Sequence, residues 1–178
     1  RRNIAGTGTQ TASLAFGGQS PETAKTEEYD GTSWSEQNDM PATGYQMAGA
    51  GTQTAGLGFG GYKPGSPNGN NVTYEYDGTN WTAGGSLAIA RRNTIGSGVQ
   101  TDALVFGGYD GTPPVDFTAQ TEGYNGTAWS TRPNLGTARY ALASSQNAAS
   151  PSTLAFGGMT PGVTASTEEF TSETSAVA

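Results

Sequence analysis

Cysteine and histidine are both absent from this chain of 178 residues. Without cysteine there can be no disulfide, no thiolate nucleophile and no zinc finger. Without histidine there is no imidazole base at neutral pH and no Ser-His-Asp triad. The sequence therefore predicts neither a metal site nor a cofactor, and it removes the commonest routes to catalysis.

Basic residues and long apolar runs are also scarce. Lysine and arginine together number 8 against 15 acidic residues, which gives a formal net charge of -7. A protein that binds nucleic acid needs a basic surface to neutralise phosphates, so nucleic acid is excluded as a partner. No apolar run approaches the roughly 20 residues that a membrane-spanning helix requires, and no signal peptide is visible.

What the chain has in abundance is repetition. Phe-Gly-Gly occurs four times, at intervals of roughly 40–50 residues that are typical of arrays of small structural units. The glycine pairs are Gly17-Gly18, Gly60-Gly61, Gly107-Gly108 and Gly157-Gly158. A second motif, Tyr-(Asp or Asn)-Gly-Thr-x-Trp, follows the first three pairs and ends at Trp34, Trp81 and Trp129. Large apolar residues at fixed positions of a repeat indicate a folded chain, because disordered chains lack that order.

Each repeat predicts four short strands. The repeats run approximately 1–43, 44–90, 91–138 and 139–178. Small residues open each repeat, a compact apolar run leads to the phenylalanine, a third strand ends at the tyrosine, and the tryptophan opens the fourth. The Asp-Gly or Asn-Gly between the last two strands is a strong hairpin signal. Such a unit is one blade of a β-propeller, so we predict an all-β propeller of four blades, forming a single domain over 1–178.

The order of these motifs resembles the kelch repeat. The resemblance rests on Phe-Gly-Gly, then Glu-x-Tyr-Asp, then Trp, and it extends over essentially the whole chain. The fourth repeat departs from it, because Phe170 stands in place of the tyrosine and Ser175 in place of the tryptophan. Its blade is therefore expected to be short or incomplete. Three alternatives follow: a compact four-bladed ring, a piece of a longer chain, or a ring whose blades are completed by another subunit.

The repeated residues are expected to be scaffold. A Gly-Gly pair in every blade indicates a strand end with unusual backbone angles rather than a cradle for an anion. The tryptophans are expected to pack between blades rather than to stack on sugars. Asp30, Asp77 and Asn125 lie in tight turns and lack the clustered oxygen ligands that calcium requires.

Two acidic pairs, Glu27-Glu28 and Glu168-Glu169, occupy the same position in their repeats. Paired carboxylates can hydrolyse glycosides. Adjacent side chains of a strand point to opposite faces, however, so neither pair converges on one substrate. We interpret both pairs as part of a solvated outer face, and we predict no catalytic residue and no enzyme.

The loops after Gly-Gly differ in length and sequence, and propeller loops on one face typically form the binding surface. The binding candidates are Tyr62, Lys63, Tyr109, Asp110, Asp116, Phe117 and Met159. The arginines that precede the inner strands are a second candidate site: Arg2, Arg92 and Arg139. They would gather near one mouth of the axis and bind an anion. Alternatively, these arginines tie adjacent blades together through backbone carbonyls.

These observations predict a non-enzymatic structural or protein-binding module. The resemblance implies loops that face protein partners, since kelch-like propellers generally use them so. The Gly- and Thr-rich, lysine-poor composition is similar to that of extracellular fibres and phage virion proteins, so we predict a virion or extracellular location and assembly with other subunits or copies. A carbohydrate-binding adhesin that uses Tyr62, Tyr109 and Phe117 as stacking platforms is the alternative, and an enzyme acting on glycans is a third.

Overall fold

The computed structural model describes residues 1–65, 68–113, 116–146 and 152–171 in full, together with the backbone of 174–177. The strands of these ranges form four antiparallel sheets of four strands each, and the strands of each sheet follow one another in chain order. The predicted all-β propeller of four blades is therefore confirmed. None of the chain described by the structure forms a helix long and apolar enough to cross a membrane.

Each sheet is one blade, numbered here in chain order. Blade 1 consists of β1 (Ala5–Thr9), β2 (Ala12–Phe16), β3 (Thr26–Tyr29) and β4 (Trp34–Gln37). Blade 2 consists of β5 (Ala48–Gly51), β6 (Gly56–Phe59), β7 (Thr73–Tyr76) and β8 (Trp81–Ala83). Blade 3 consists of β9 (Ile95–Val99), β10 (Asp102–Phe106), β11 (Thr121–Tyr124) and β12 (Trp129–Arg132). Blade 4 consists of β13 (Ala143–Ser144), β14 (Ser152–Phe156), β15 (Thr167–Thr171) and β16 (Thr174–Val177).

Blade 4 is short at its inner strand, since β13 spans only two residues. Its outer strand is present and keeps the register of the other blades. Phe170 pairs with Ser175 where tyrosine pairs with tryptophan in blades 1 to 3. The sequence predicts a short or incomplete fourth blade, and the structure has its outer strand at Thr174–Val177.

The tight turn between the third and fourth strands is held by its own side chain. In blade 1 the Asp30 carboxylate accepts the backbone N–H groups of Thr32 and Ser33, both at 2.8 Å. These bonds, chiefly the one from Ser33, favour the charged form and lower the pKa of Asp30. Asp77 makes the same bonds in blade 2, and the Asn125 amide oxygen makes them in blade 3. The turn chemistry that the sequence indicates is therefore what the structure contains.

The inner strands approach one another so closely that they require glycine. A Cβ on Gly49 would lie 2.6 Å from the carbonyl oxygen of Gly6, and one on Gly96 would lie 2.7 Å from that of Gly49. Both distances are too short for any side chain, which accounts for the small residues at the start of each repeat. In blade 4 the position is held by Ser144, whose hydroxyl instead donates to the Gly96 carbonyl at 2.6 Å.

Neighbouring blades are joined by a tryptophan that the later blade contributes. The ring of Trp81 meets Phe16 edge-on at a centroid distance of 4.9 Å, and its Nε1–H donates to Thr26 Oγ1 at 2.9 Å. Trp129 repeats this contact on blade 2, with Phe59 at 4.9 Å and Thr73 Oγ1 at 2.8 Å. An edge-on aromatic pair with a satisfied N–H favours burial of the whole indole.

A tyrosine and a glutamate form the second link. The Tyr76 hydroxyl of blade 2 donates to Glu28 of blade 1 at 2.9 Å, and the Tyr124 hydroxyl of blade 3 donates to Glu75 of blade 2. Burial, together with the bond to the carboxylate, raises the pKa of Tyr124 to about 12 and also raises that of Tyr76. Blades 1 and 2 therefore each present Phe, Thr and Glu to the next blade, and that blade contacts them with its Trp and Tyr.

The interface between blades 3 and 4 has lost both links. Phe170 carries no hydroxyl, and Gly123 occupies the position of the accepting glutamate, so donor and acceptor disappear together. In place of the tryptophan contact, Phe106 meets Phe170 edge-on at a centroid distance of 6.0 Å. Because the tryptophan is also missing, the buried Thr121 Oγ1 has no hydrogen-bond partner.

The orphaned hydroxyl of Thr121 gives a direct prediction. Thr121→Val removes a buried polar group without a partner, so we expect the free energy of unfolding to rise by about 1 kcal/mol. Thr73→Val at the equivalent position is the matched control, and it should lower the free energy by about 1 kcal/mol because it leaves the Trp129 N–H unpaired. Urea unfolding followed by circular dichroism measures both. Equal destabilisation by the two substitutions would contradict the assignment.

The four blades form an arc whose two ends remain open. On blade 1, Ile4 and Trp34 are 48% and 53% exposed, and on blade 4, Leu154 and Phe156 are each 39% exposed. Their equivalents in the other blades are buried, with Trp129 half-buried. The arc is thus packed internally and unpacked at its first and last blades.

A chain of backbone hydrogen bonds around the axis breaks at the same place. Gln46 N donates to Asn3 O at 3.0 Å, Asn93 N to Gln46 O at 3.2 Å, and Ala141 N to Asn93 O at 2.9 Å. All four residues have positive φ, between 49° and 57°. Within the described ranges no bond from Asn3 N to Ala141 O completes the circle.

Candidate functional site

One face of the arc brings the loops after Gly-Gly together with the segments that precede the inner strands. Gly60 and Gly61 have φ of 66° and 93°, a left-handed conformation that turns the chain sharply after β6. The residue after each glycine pair then forms an isolated β-bridge with a residue before the inner strand. These bridges are Arg2–Gln19, Tyr45–Tyr62, Arg92–Tyr109 and Tyr140–Met159.

Six side chains on this face form a continuous group, which we call the loop-face cluster. They are Tyr45, Tyr62, Arg92, Tyr109, Phe117 and Tyr140. All six are partly buried, so the cluster is packed and yet reaches the surface. The predicted residues Tyr62, Tyr109 and Phe117 are brought together here with Arg92 of the arginine set.

Arg92 is the centre of the loop-face cluster. Its guanidinium carbon lies 4.2 Å from the centroid of the Tyr109 ring and 5.7 Å from that of Tyr62. A guanidinium within about 6 Å of a ring centroid is attracted by the π-electrons, and the attraction grows as water is removed. The Arg92 Nη1 also donates to the amide oxygen of Gln46 at 3.4 Å. The cation is therefore held between two rings at the surface.

The remaining rings extend the cluster on both sides. Tyr45 stacks at a tilt on Tyr62 with centroids 4.8 Å apart, and its burial raises the pKa of its hydroxyl. Tyr140 contacts Tyr109 edge-on at 6.3 Å and Phe117 at 5.7 Å. Tyr45 and Tyr140 did not figure among the sequence candidates, because they belong to the linkers and not to the variable loops. When the repeats are aligned, Tyr45 and Tyr140 fall at the position that Arg2 and Arg92 hold in the other two repeats. That alignment is the feature of the sequence that could have identified them.

The other loop candidates shape the loops or lie apart. The Asp110 carboxylate accepts the Thr112 N–H at 3.0 Å, and Asp116, with φ of 58°, accepts the N–H groups of Asp110 and Gly111 on its carbonyl. Met159 joins the bridges to Tyr140 and Val163. Lys63 is exposed in the loop after Tyr62.

Arg139 lies apart from Arg2 and Arg92. It is fully buried and pairs with Glu168 at 3.0 Å, while its guanidinium donates to the carbonyls of Ser166 and Ala155. It aligns with Arg1 and Arg91, which pair in the same way with Glu27 and Glu122. The structure therefore contains two sets of arginines. Arg1, Arg91 and Arg139 are ion-paired, and of these Arg91 and Arg139 are buried while Arg1 is exposed. Arg2 and Arg92 belong to the other set, at the surface.

The buried arginines connect neighbouring blades. The carbonyl of Arg91 accepts the Gly61 N–H of blade 2 at 2.8 Å, while its side chain binds the Gly107 and Gln120 carbonyls of blade 3 at 3.0 and 2.8 Å. Burial lowers the pKa of Arg91, and the adjacent Glu122 carboxylate opposes that shift. Blade 2 lacks both partners, with Gly44 and Tyr74 at the two positions.

The interpretation of the acidic pairs as a solvated face is wrong in part. Members of each pair do point to opposite faces, as predicted. Glu28 accepts the Tyr76 hydroxyl, however, Glu27 pairs with Arg1, and Glu168 is only 3% exposed. Only Glu169 is exposed. Burial here depends on the neighbouring blade, which a single strand pattern does not reveal.

Among the residues that the structure describes, no three His, Cys, Asp or Glu side chains are grouped in a way that could hold a metal ion. On the loop face, the Asp110 carboxylate instead closes its own loop by accepting the Thr112 N–H. The chemistry available in the loop-face cluster is that of five aromatic rings and the positive charge of Arg92.

Comparison with known proteins shows similarity in fold alone. No family model matches the chain, and no curated protein matches it in sequence. The solved structure of YjhT superposes with a TM-score of 0.80 at 13% sequence identity. The alignment covers 99% of this chain and 64% of the YjhT chain, so this chain spans somewhat less than two thirds of its length. The likeness agrees with the β-propeller arrangement of the four blades.

Proposed function

We propose that this protein is a non-enzymatic, kelch-like propeller module that binds a protein partner through the loop-face cluster. The observation that carries the proposal is the continuous run of five aromatic rings around Arg92. Tyrosine and arginine are the residue types that dominate the binding energy of protein interfaces. Their mutual packing also lowers the entropy lost when a partner binds, because the side chains are already ordered.

The cluster suits a protein better than a sugar. A sugar stacks on an open ring face, whereas Tyr62 and Tyr109 pack against Arg92 and Phe117 packs against Tyr140. The rings therefore present their edges to the surface, beside the positive charge of Arg92. A protein partner with an acidic or carbonyl-rich segment would be complementary to that surface.

The assembly that this module serves is proposed from composition. We infer a structural role in a virion, as a phage tail, fibre or decoration protein, or in an extracellular assembly. The support is a chain with 28 glycines, no cysteine and a net charge of -7, a composition similar to that of such fibres. The kelch-like order of Phe-Gly-Gly, tyrosine and tryptophan supports the same type of module.

A peptide library displayed on phage and a glycan array, probed with the same purified chain, test the proposal. We expect enriched peptide families whose binding falls at least tenfold in Arg92→Ala and in Tyr109→Ala. Lys63→Ala, an exposed neighbour outside the cluster, is the matched control and should bind as the parent does. Binding to glycans with no enriched peptide, or peptide binding insensitive to both cluster substitutions, would overturn it.

A further inference from the structure

We propose that the two open ends of the arc bind each other between two copies of this chain, head to tail. The blade 1 edge is defined by Ile4, Tyr29 and Trp34, and the blade 4 edge by Leu154, Phe156, Thr167 and Glu169. This surface lies on the flanks of the blades and not on the loop face, so the proposal stands apart from the loop-face cluster. The partner it names is a second copy.

The two edges expose apolar residues at repeat positions that are buried in other blades. Leu154 and Phe156 are each 39% exposed, while the equivalent leucine and phenylalanine of the other three blades are at most 1% exposed. Trp34 is 53% exposed, against 7% for Trp81 in blade 2. The same residue types in the same register are thus buried where a neighbouring blade is present, except that Trp129 is half-buried. Apolar residues left open at repeat-conserved interface positions indicate a missing neighbour.

The internal interfaces define what that neighbour must carry. Each of the two complete interfaces joins Phe, Thr and Glu of the earlier blade to Trp and Tyr of the later one. The blade 4 edge offers that first set as Phe156, Thr167 and Glu169. The blade 1 edge offers the second set as Trp34 and Tyr29. One copy therefore carries both halves of an interface that its own fold already uses twice.

Backbone groups at the two edges are complementary as well. Gln53 of blade 2 donates to the Ser13 and Tyr29 carbonyls of blade 1, and Gln100 of blade 3 repeats this on blade 2. Gln10 is the equivalent side chain of blade 1, and it is exposed. The axial chain of bonds likewise ends at Asn3 N on one side and at Ala141 O on the other. A second copy would extend both patterns across the junction.

The blade 1 edge also has room for the incoming ring. A groove of about 390 Å³ lies beside the tryptophan and is lined by Arg1, Ile4, Ala15, Glu27 and Trp34. In the internal interfaces the phenylalanine of the earlier blade lies edge-on against this tryptophan, so the groove is where Phe156 of the second copy would enter. A contact between two different patches is heterologous, and it closes into a ring or continues as a filament according to the rotation per copy.

The mass of the chain in solution tests the proposal. Light scattering from about 1 µM to about 200 µM should show particles that grow above the monomer mass of 18.1 kDa. Trp34→Asp blocks one edge and Phe156→Asp the other, and each variant alone should stay monomeric. Their equimolar mixture should give a 1:1 dimer and nothing larger, because only one intact junction remains. Both side chains are exposed, and circular dichroism verifies that the variants fold.

Two control variants show whether association depends on the edges themselves. Lys63→Asp places a new aspartate on the loop face and should associate as the parent does, as should Tyr109→Ala, which damages the loop-face cluster. A parent chain that stays monomeric over the whole concentration range would overturn the proposal, because the two edges would then not bind each other. Association that survives both edge substitutions would also overturn it, since the contact would then lie elsewhere.

Discussion

Replacing Trp81 by alanine should lower the free energy of unfolding by about 3–5 kcal/mol. The indole is 7% exposed, meets Phe16 at 4.9 Å and Tyr76 at 5.0 Å, and donates to Thr26 Oγ1. Truncation therefore removes a large apolar contact between two blades, leaves a cavity and orphans a buried hydroxyl. The midpoint of urea unfolding should fall accordingly.

Trp34 provides the matched control for this substitution. It holds the same position in its repeat and contacts Tyr29 of its own blade at a centroid distance of 5.2 Å, but it is 53% exposed. Trp34→Ala should therefore cost about 1 kcal/mol or less when the chain is monomeric. Similar losses from the two substitutions would mean that the tryptophan stabilises its own hairpin rather than the interface between blades.

Removing the charge of Glu122 should be about as damaging. Glu122→Gln leaves the fully buried guanidinium of Arg91 without its counter-ion, and breaking such a pair from one side typically costs about 3–5 kcal/mol. Glu122 also accepts the Ala88 N–H of the preceding linker at 2.8 Å, so the loss loosens the junction of blades 2 and 3. Thermal and urea unfolding measure the change.

Two further variants show whether the loss of stability comes from the unpaired charge of Arg91. Glu169→Gln, an exposed carboxylate on the third strand of blade 4, should change stability by less than about 0.5 kcal/mol. The double variant Arg91→Met with Glu122→Leu should recover most of the loss, because an apolar pair replaces a buried ion pair at little net cost. Blade 2 folds with neither member of the pair, since Gly44 and Tyr74 hold these positions. A double variant as unstable as Glu122→Gln would show that packing, not the unpaired charge, is responsible.

The fold could be predicted because its determinants are local and repeated. Each Asp-Gly turn is closed by a side chain two and three residues away, so the sequence alone specifies the hairpin. Repetition then indicated the strands and the number of blades. The departure at Phe170 and Ser175 coincides in the structure with the unpartnered hydroxyl of Thr121.

The candidate site could be predicted only in part, because contacts between blades are not local. Tyr62, Tyr109 and Phe117 were found as aromatic residues in variable loops. Tyr45 and Tyr140 complete the cluster from linkers, where nothing in a single strand pattern distinguishes them. The buried pair of Arg139 and Glu168 was missed for the same reason. The second repeat lacks both the arginine and the glutamate, with Gly44 and Tyr74 in their places. This joint absence is the feature of the sequence that could have revealed the ion pair.

The openness of the arc is the central claim, and the accessibility of its tryptophans tests it most directly. In variants that retain a single tryptophan, the others being phenylalanine, acrylamide quenching at low protein concentration compares Trp34 with Trp81. We expect Trp34 to be quenched nearly as readily as a free indole and Trp81 to be strongly shielded, in line with exposures of 53% and 7%. Equal shielding of the two in the monomer would contradict the open arc and indicate a closed ring of four blades.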